Sequence, residues 1–213
     1  MIITCVAIAL VAGVMSGPYL QKHETTTVHI RIDQDGGLPA AQLSEALDQM
    51  QRIWRAAGVK VTTGMYGEPP RYSSATVSLR LLGTAARRIN GGTVLAWVSA
   101  TESGPPAPIL FVSLQGIREL LEPVEFRGRP LKQRPEVLRD RLIAMAVGRA
   151  AAHELGHFLR GEGQHTTHGL MRARYQTSDL IGDSLMPFQV PADERVAVRR
   201  EVTRLAQSQA AGQ

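Results

Sequence analysis

Cysteine is almost missing from this chain: Cys5 is the only one in 213 residues. No intrachain disulfide can form, and no set of thiolates can hold a zinc ion. Any bound metal must therefore sit among imidazoles and carboxylates. Aromatic residues are scarce at 5%, which argues against a platform that stacks single-stranded nucleic acid base by base. Lysine is scarce too, since 21 of the 24 basic residues are arginine. The net charge of +5 permits an anionic partner and does not demand one. Hydrophobic residues at 44% and charged residues at 20% exclude a disordered or low-complexity chain.

The uncharged apolar run at residues 2–17 falls short of the about 20 residues of a membrane-spanning helix. It has the length of a secretory hydrophobic region, and Val14 and Ser16 are small enough for cleavage before Gly17. No Lys or Arg precedes it, which departs from the usual signal. The expectation is a signal peptide at residues 1–16, or a membrane anchor if uncleaved, followed by one domain over residues 17–213. That places the protein outside the cell or in its envelope. The domain would contain no cysteine, so it could work in an oxidising compartment.

Strands are expected where apolar residues alternate: 26–33, 59–63, 75–82, 94–99 and 109–114. Between the first two, Leu43, Leu47, Met50, Ile53 and Trp54 recur at helical spacing after Pro39, and Gly58 stops that helix. Residues 117–121 suggest a short helix and 123–135 an irregular basic connector. From Pro135 the pattern is strongly helical up to Leu159, and Gly161 and Gly163 end it. A short helix over 179–185 and a last one from Pro191 follow, with the tail from Gln207 expected to fray. The reading is an α+β domain: a mixed, twisted sheet of about five strands on one long helix, with a helical C-terminal part.

That long helix carries His153-Glu154-Leu155-Gly156-His157, the pattern H-E-x-x-H. Helical residues four apart share a face, with Cβ atoms about 5–6 Å apart. Two imidazoles so placed can reach one zinc ion, and Glu154 can take a proton from a water on that ion without binding it. Ala150, Ala151 and Ala152 keep the preceding turn slim, as a helix under a cleft requires. A catalytic zinc takes three protein ligands and leaves a position for water. The residues alone leave the third open: His165, or His168 three positions on, with Glu162, Asp179, Asp183, Glu194 and Glu201 as further candidates.

The run from His153 to His157, the glycine turn, His165 and Gly169-Leu170-Met171 together resemble the metzincin side of the zincin metallopeptidases. The segment from His165 to Ala173 is similar to uncharacterised bacterial zincin-like proteins. The resemblance implies a zincin-like fold and Zn2+ on His153, His157 and His165. It makes Glu154 the general base and Met171 the methionine of a turn beneath the metal. Two departures stand out. His165 follows His157 by eight residues, where the family spacing is six. Arg160 occupies the usual glycine position, with Gly161 one place later. By the same resemblance residues 109–114 would help form the cleft rim that binds substrate as an added strand, and Tyr175 could donate to the oxyanion.

The functional expectation is a zinc-dependent endopeptidase that cleaves protein or peptide substrates through a zinc-bound water activated by Glu154. The alternative is a zincin-like module that holds zinc without turnover, with His168 closing the open position. A nucleic-acid partner is not expected: Arg127, Arg129, Lys132 and Arg134 lie in a run interrupted by acidic residues. Membrane association would run through residues 2–17.

Overall fold

Alternation along the chain builds the sheet. Strand β1 (Thr27–Gln34) buries Val28, Ile30 and Ile32, and Pro39 caps helix α1 (Ala40–Ala56). Gly58, at φ 81°, turns the chain back into β2 (Lys60–Met65). Then come β3 (Ala75–Leu82), β4 (Arg87–Ile89), β5 (Gly92–Val94), β6 (Ala96–Val98) and β7 (Ile109–Ser113). Helix α2 (Leu114–Leu121) starts at once, its first turn capped by the Ser113 hydroxyl, which accepts from Gly116 N–H at 3.0 Å. This computed structural model describes residues 26–34, 37–65, 74–84, 87–89, 92–99, 109–161 and 165–211. The apolar run at 2–17 and Glu162 lie outside them.

The main sheet has five strands in the order β2-β1-β3-β7-β6. The first four are parallel, and β6 runs antiparallel to β7 at one edge. The expected α+β architecture, with a mixed five-stranded sheet, is what the described residues form. Two details differ. The strand expected at 94–99 is divided between β5, which pairs with β4, and β6, which joins the main sheet. The strand at 109–114, expected on the cleft rim, lies inside the sheet, because β6 pairs with its outer side.

The basic connector is a small hairpin, β8 (Glu125–Phe126) and β9 (Arg129–Pro130), then a 3-10 turn. Arg134 ties it down by donating to the carbonyls of Phe126 and Arg127. Helix α3 (Glu136–Arg160) crosses the core and is buried along most of its length from Leu142 onward. It packs against α1, where Trp54 donates to the Ala152 carbonyl at 3.2 Å. Gly161, at φ 64°, closes α3 in the left-handed conformation that glycine adopts without cost.

Two helices complete the fold: α4 (Thr177–Ile181) and α5 (Ala192–Ala211). The tail expected to fray from Gln207 stays helical to Ala211. Its Gln209 side chain acts as a strand residue would: the amide accepts from Thr76 N–H at 2.6 Å and donates to the Thr76 carbonyl at 3.0 Å. Strand β7 first pairs with β3 at Ser78, so Gln209 bonds the backbone that β7 does not reach. No helix among the described residues is long and apolar enough to cross a membrane.

Candidate metal centre

Helical spacing puts His153 and His157 one turn apart near the end of α3, and the chain doubles back after Gly161 to bring in His165. The His157 Nε2 atom lies 3.0 Å from His153 Nε2 and 3.2 Å from His165 Nε2. All three donor atoms fall within 4.8 Å of one another. Ligands about 2.0–2.1 Å from one tetrahedral ion stand roughly 3.3 Å apart, so the spacing fits a zinc ion. The donor chemistry fits as well. The His153 Nδ1–H donates to the Leu170 carbonyl at 2.7 Å, which leaves the Nε2 lone pair facing the other two rings. Burial holds the His153 imidazole down at about 4, so it is neutral, as a ligand must be, at neutral pH.

Glu154 is buried beside this group. Burial pushes its carboxyl up to about 8, and a hydrogen bond from the Val98 backbone N–H works the other way. The ladder explains that bond. Ser99 N–H donates to the Ile109 carbonyl and Ser113 N–H to the Leu95 carbonyl, so odd-numbered residues of this stretch face β7. Val98 N–H points out from the sheet edge, and Glu154 takes it.

Met171 is buried against Gly156 of α3, whose hydrogen occupies the place where a Cβ would fall 2.2 Å from the Met171 sulfur. The loop that carries it is closed by backbone bonds from Thr166 N–H to the Met171 carbonyl at 2.8 Å and from Leu170 N–H to the Gln189 carbonyl at 2.9 Å. Gly169, at φ 71°, permits that close approach.

The other candidates go elsewhere. His168 is exposed and lies 3.1 Å from the Thr167 hydroxyl through Nδ1, outside the histidine group. Asp179 pairs with Arg172, Glu194 with Arg160 at 3.5 Å, and Glu201 with Arg204 at 2.5 Å. Tyr175, expected as an oxyanion donor, directs its hydroxyl at the carbonyls of Gly169 and Leu170. Burial pushes that hydroxyl's pKa up.

Sequence reasoning missed three groups: the Leu170 carbonyl, the Val98 N–H and Arg149. The first two are backbone atoms with no residue-type signature. Arg149 had one, because it stands four residues before His153 and is followed directly by Ala150, Ala151 and Ala152 in an otherwise apolar stretch. It is almost fully buried, its guanidinium donating to the Asp179 carbonyl and lying 5.1 Å from the centre of the Phe188 ring.

No family model and no curated protein sequence matches this chain. Among solved structures it is similar to an archaemetzincin from Methanopyrus kandleri, with 16% identity over 87% of this chain and 99% of that one and a TM-score of 0.47. An overlap of that size adds no weight to the functional reading, which rests on the three imidazoles and Glu154.

Proposed function

We propose that this chain is a zinc-dependent endopeptidase, with His153, His157 and His165 as the metal ligands and Glu154 as the general base. The observation that carries this reading is the convergence of three imidazole Nε2 atoms beside a buried carboxylate that is not one of them. Zinc held there would polarise the scissile carbonyl and make a neighbouring water more acidic. Glu154 takes the proton of the attacking water and delivers it to the leaving amine. Its raised pKa suits the second task, and a metal held by the three histidines would lower that pKa toward what the first task needs. The His153 Nδ1–H bond to Leu170 fixes the tautomer that presents Nε2.

The substrate is a protein or peptide laid along the outer edge of β6, where the outward-facing backbone groups other than the Val98 N–H, which Glu154 holds, can pair with an extended chain. Residues 2–17 direct the protein to the envelope or beyond it. The test is zinc content and cleavage of casein or a peptide library by the full chain and by Glu154→Ala. A wild type that binds zinc and cleaves, with a variant that binds zinc and does not, supports the reading. A wild type without zinc, or a variant that cleaves as well, overturns it. The second reading, a zinc-holding module without turnover, calls for a fourth ligand such as His168, and the exposed His168 beside Thr167 does not supply it. A wild type that binds zinc and cleaves nothing would restore it.

A further inference from the structure

The Leu170 carbonyl oxygen receives two hydrogen bonds. One comes from His153 Nδ1–H at 2.7 Å. The other comes from the Tyr175 hydroxyl, which also lies 3.2 Å from the Gly169 carbonyl. A carbonyl oxygen has two lone pairs, so these two donors saturate it, and Leu170 is fully buried.

The tyrosine is itself held on several sides. Its ring stands edge-on to the His153 ring, centroids 5.7 Å apart at 89°, and stacks on Phe188 at 4.8 Å and 7°. The Arg172 guanidinium lies 4.3 Å from its centre. Arg172 pairs with the Asp179 carboxylate, which also accepts from Gln176 N–H at 2.7 Å. The Asp179 backbone carbonyl accepts from Arg149, and Arg149 rests on Phe188. The run Arg172, Tyr175, Phe188, Arg149 therefore closes on itself through Asp179.

We propose that Tyr175 is a positioning residue for His153: by sharing the Leu170 carbonyl with His153 Nδ1–H, its hydroxyl fixes that carbonyl and so holds the imidazole in the tautomer and pose that turn Nε2 toward a metal. This rests on the reading of His153 as a metal ligand. Groups that orient a ligating imidazole commonly change metal affinity by about 10–100-fold when removed. Donation to a reacting oxygen would require the hydroxyl to leave that buried carbonyl, which would then keep only its bond from His153.

The experiment compares the full chain with Tyr175→Phe, which keeps the ring and its stacking. Zinc affinity is measured by competition with a chromophoric chelator, and the His153 Nδ1–H resonance is followed by NMR in the metal-free protein. Tyr175→Phe is expected to bind zinc about tenfold more weakly, to remain folded at the temperature of the assay, and to shift the His153 resonance with faster proton exchange. Affinity within about twofold of wild type overturns the proposal. So does weakened binding with an unmoved His153 resonance, because the effect would not run through that imidazole. Should Tyr175→Phe fail to fold, Arg172→Gln, which loosens the ring and keeps the hydroxyl, is expected to weaken zinc about threefold; unchanged affinity there overturns the proposal. His157→Ala separates the two readings. If wild type and His157→Ala bind zinc alike, the metal reading fails, and the NMR comparison alone then decides whether Tyr175 positions His153.

Discussion

Helix α3 brings two neighbours close at two glycines, and the neighbours differ in kind. At Gly148 an added Cβ would meet the Ala46 backbone carbonyl oxygen of α1 at 2.1 Å; at Gly156 it would meet the Met171 sulfur at 2.2 Å. One neighbour is the backbone of a packed helix and cannot yield. The other is a flexible side chain that can move, but only by disturbing the buried loop that carries it, which also supplies the Leu170 carbonyl to His153. The first half of the helix secures the fold, and the second holds polar groups that a core would not keep for stability alone: Glu154 and His157 are both buried. The same device, a missing side chain, thus serves packing in one place and the site in the other.

The sharpest separation is expected from Glu154→Gln. Peptide turnover should fall by about 1,000-fold or more, while the melting temperature holds or rises, since a buried ionisable group is replaced by a neutral one of the same shape. A large loss of stability instead would place Glu154 in the structural half. Gly148→Ala should do the reverse, losing roughly 3 kcal/mol in urea unfolding with zinc affinity unchanged in the molecules that remain folded.

Protonation gives a third probe, in chelator-treated protein. Burial moves Glu154 from 4.5 in the ordinary state to about 8 in the fold. Between those values the unfolded chain releases the proton and the folded chain keeps it. The Glu154 contribution to metal-free stability should therefore decline as pH rises from 4.5 to 8 and level off above. His153, held at about 4 against an ordinary 6.5, acts oppositely, its contribution being lost as pH falls through that range. Comparing urea midpoints of wild type and Glu154→Gln isolates the Glu154 slope, which should vanish in the variant.

The smallest effect is expected from Gly156→Ala, about 1 kcal/mol, together with weaker zinc binding as Met171 shifts. Met171→Ala should relieve the clash at Gly156→Ala in a double-mutant cycle and merely add to Gly148→Ala. Coupling of Met171 to position 148 would erase the distinction between the two halves.

The parts of the site that depend on spacing were legible. Residues four apart on one helix must share a face, so His153 and His157 followed from periodicity, and Gly161 told where the chain could turn back toward His165. The loop length to His165 could not say which histidine returned, because that depends on backbone bonds such as Thr166 N–H to the Met171 carbonyl. Strand positions were legible from alternation, but strand order was not. Residues 109–114 read as one more apolar strand, and nothing in them shows that β6 would pair outside. The helical tail at 207–211 was missed because its polar composition resembles a frayed end, while its stability comes from a partner far away in sequence.

That distant partner has a consequence for synthesis. Strand β3 is made by residue 82, yet Thr76 waits for Gln209, 133 residues later, before its backbone N–H and carbonyl find these two bonds. On a ribosome the sheet would emerge with this stretch of backbone unsatisfied until nearly the last turn of α5 is released. Closure of this part of the sheet should thus wait until Gln209 has been released from the ribosome. A truncation that removes only a few residues before Ala211 would leave the long helix and the histidines intact in sequence and the sheet still open.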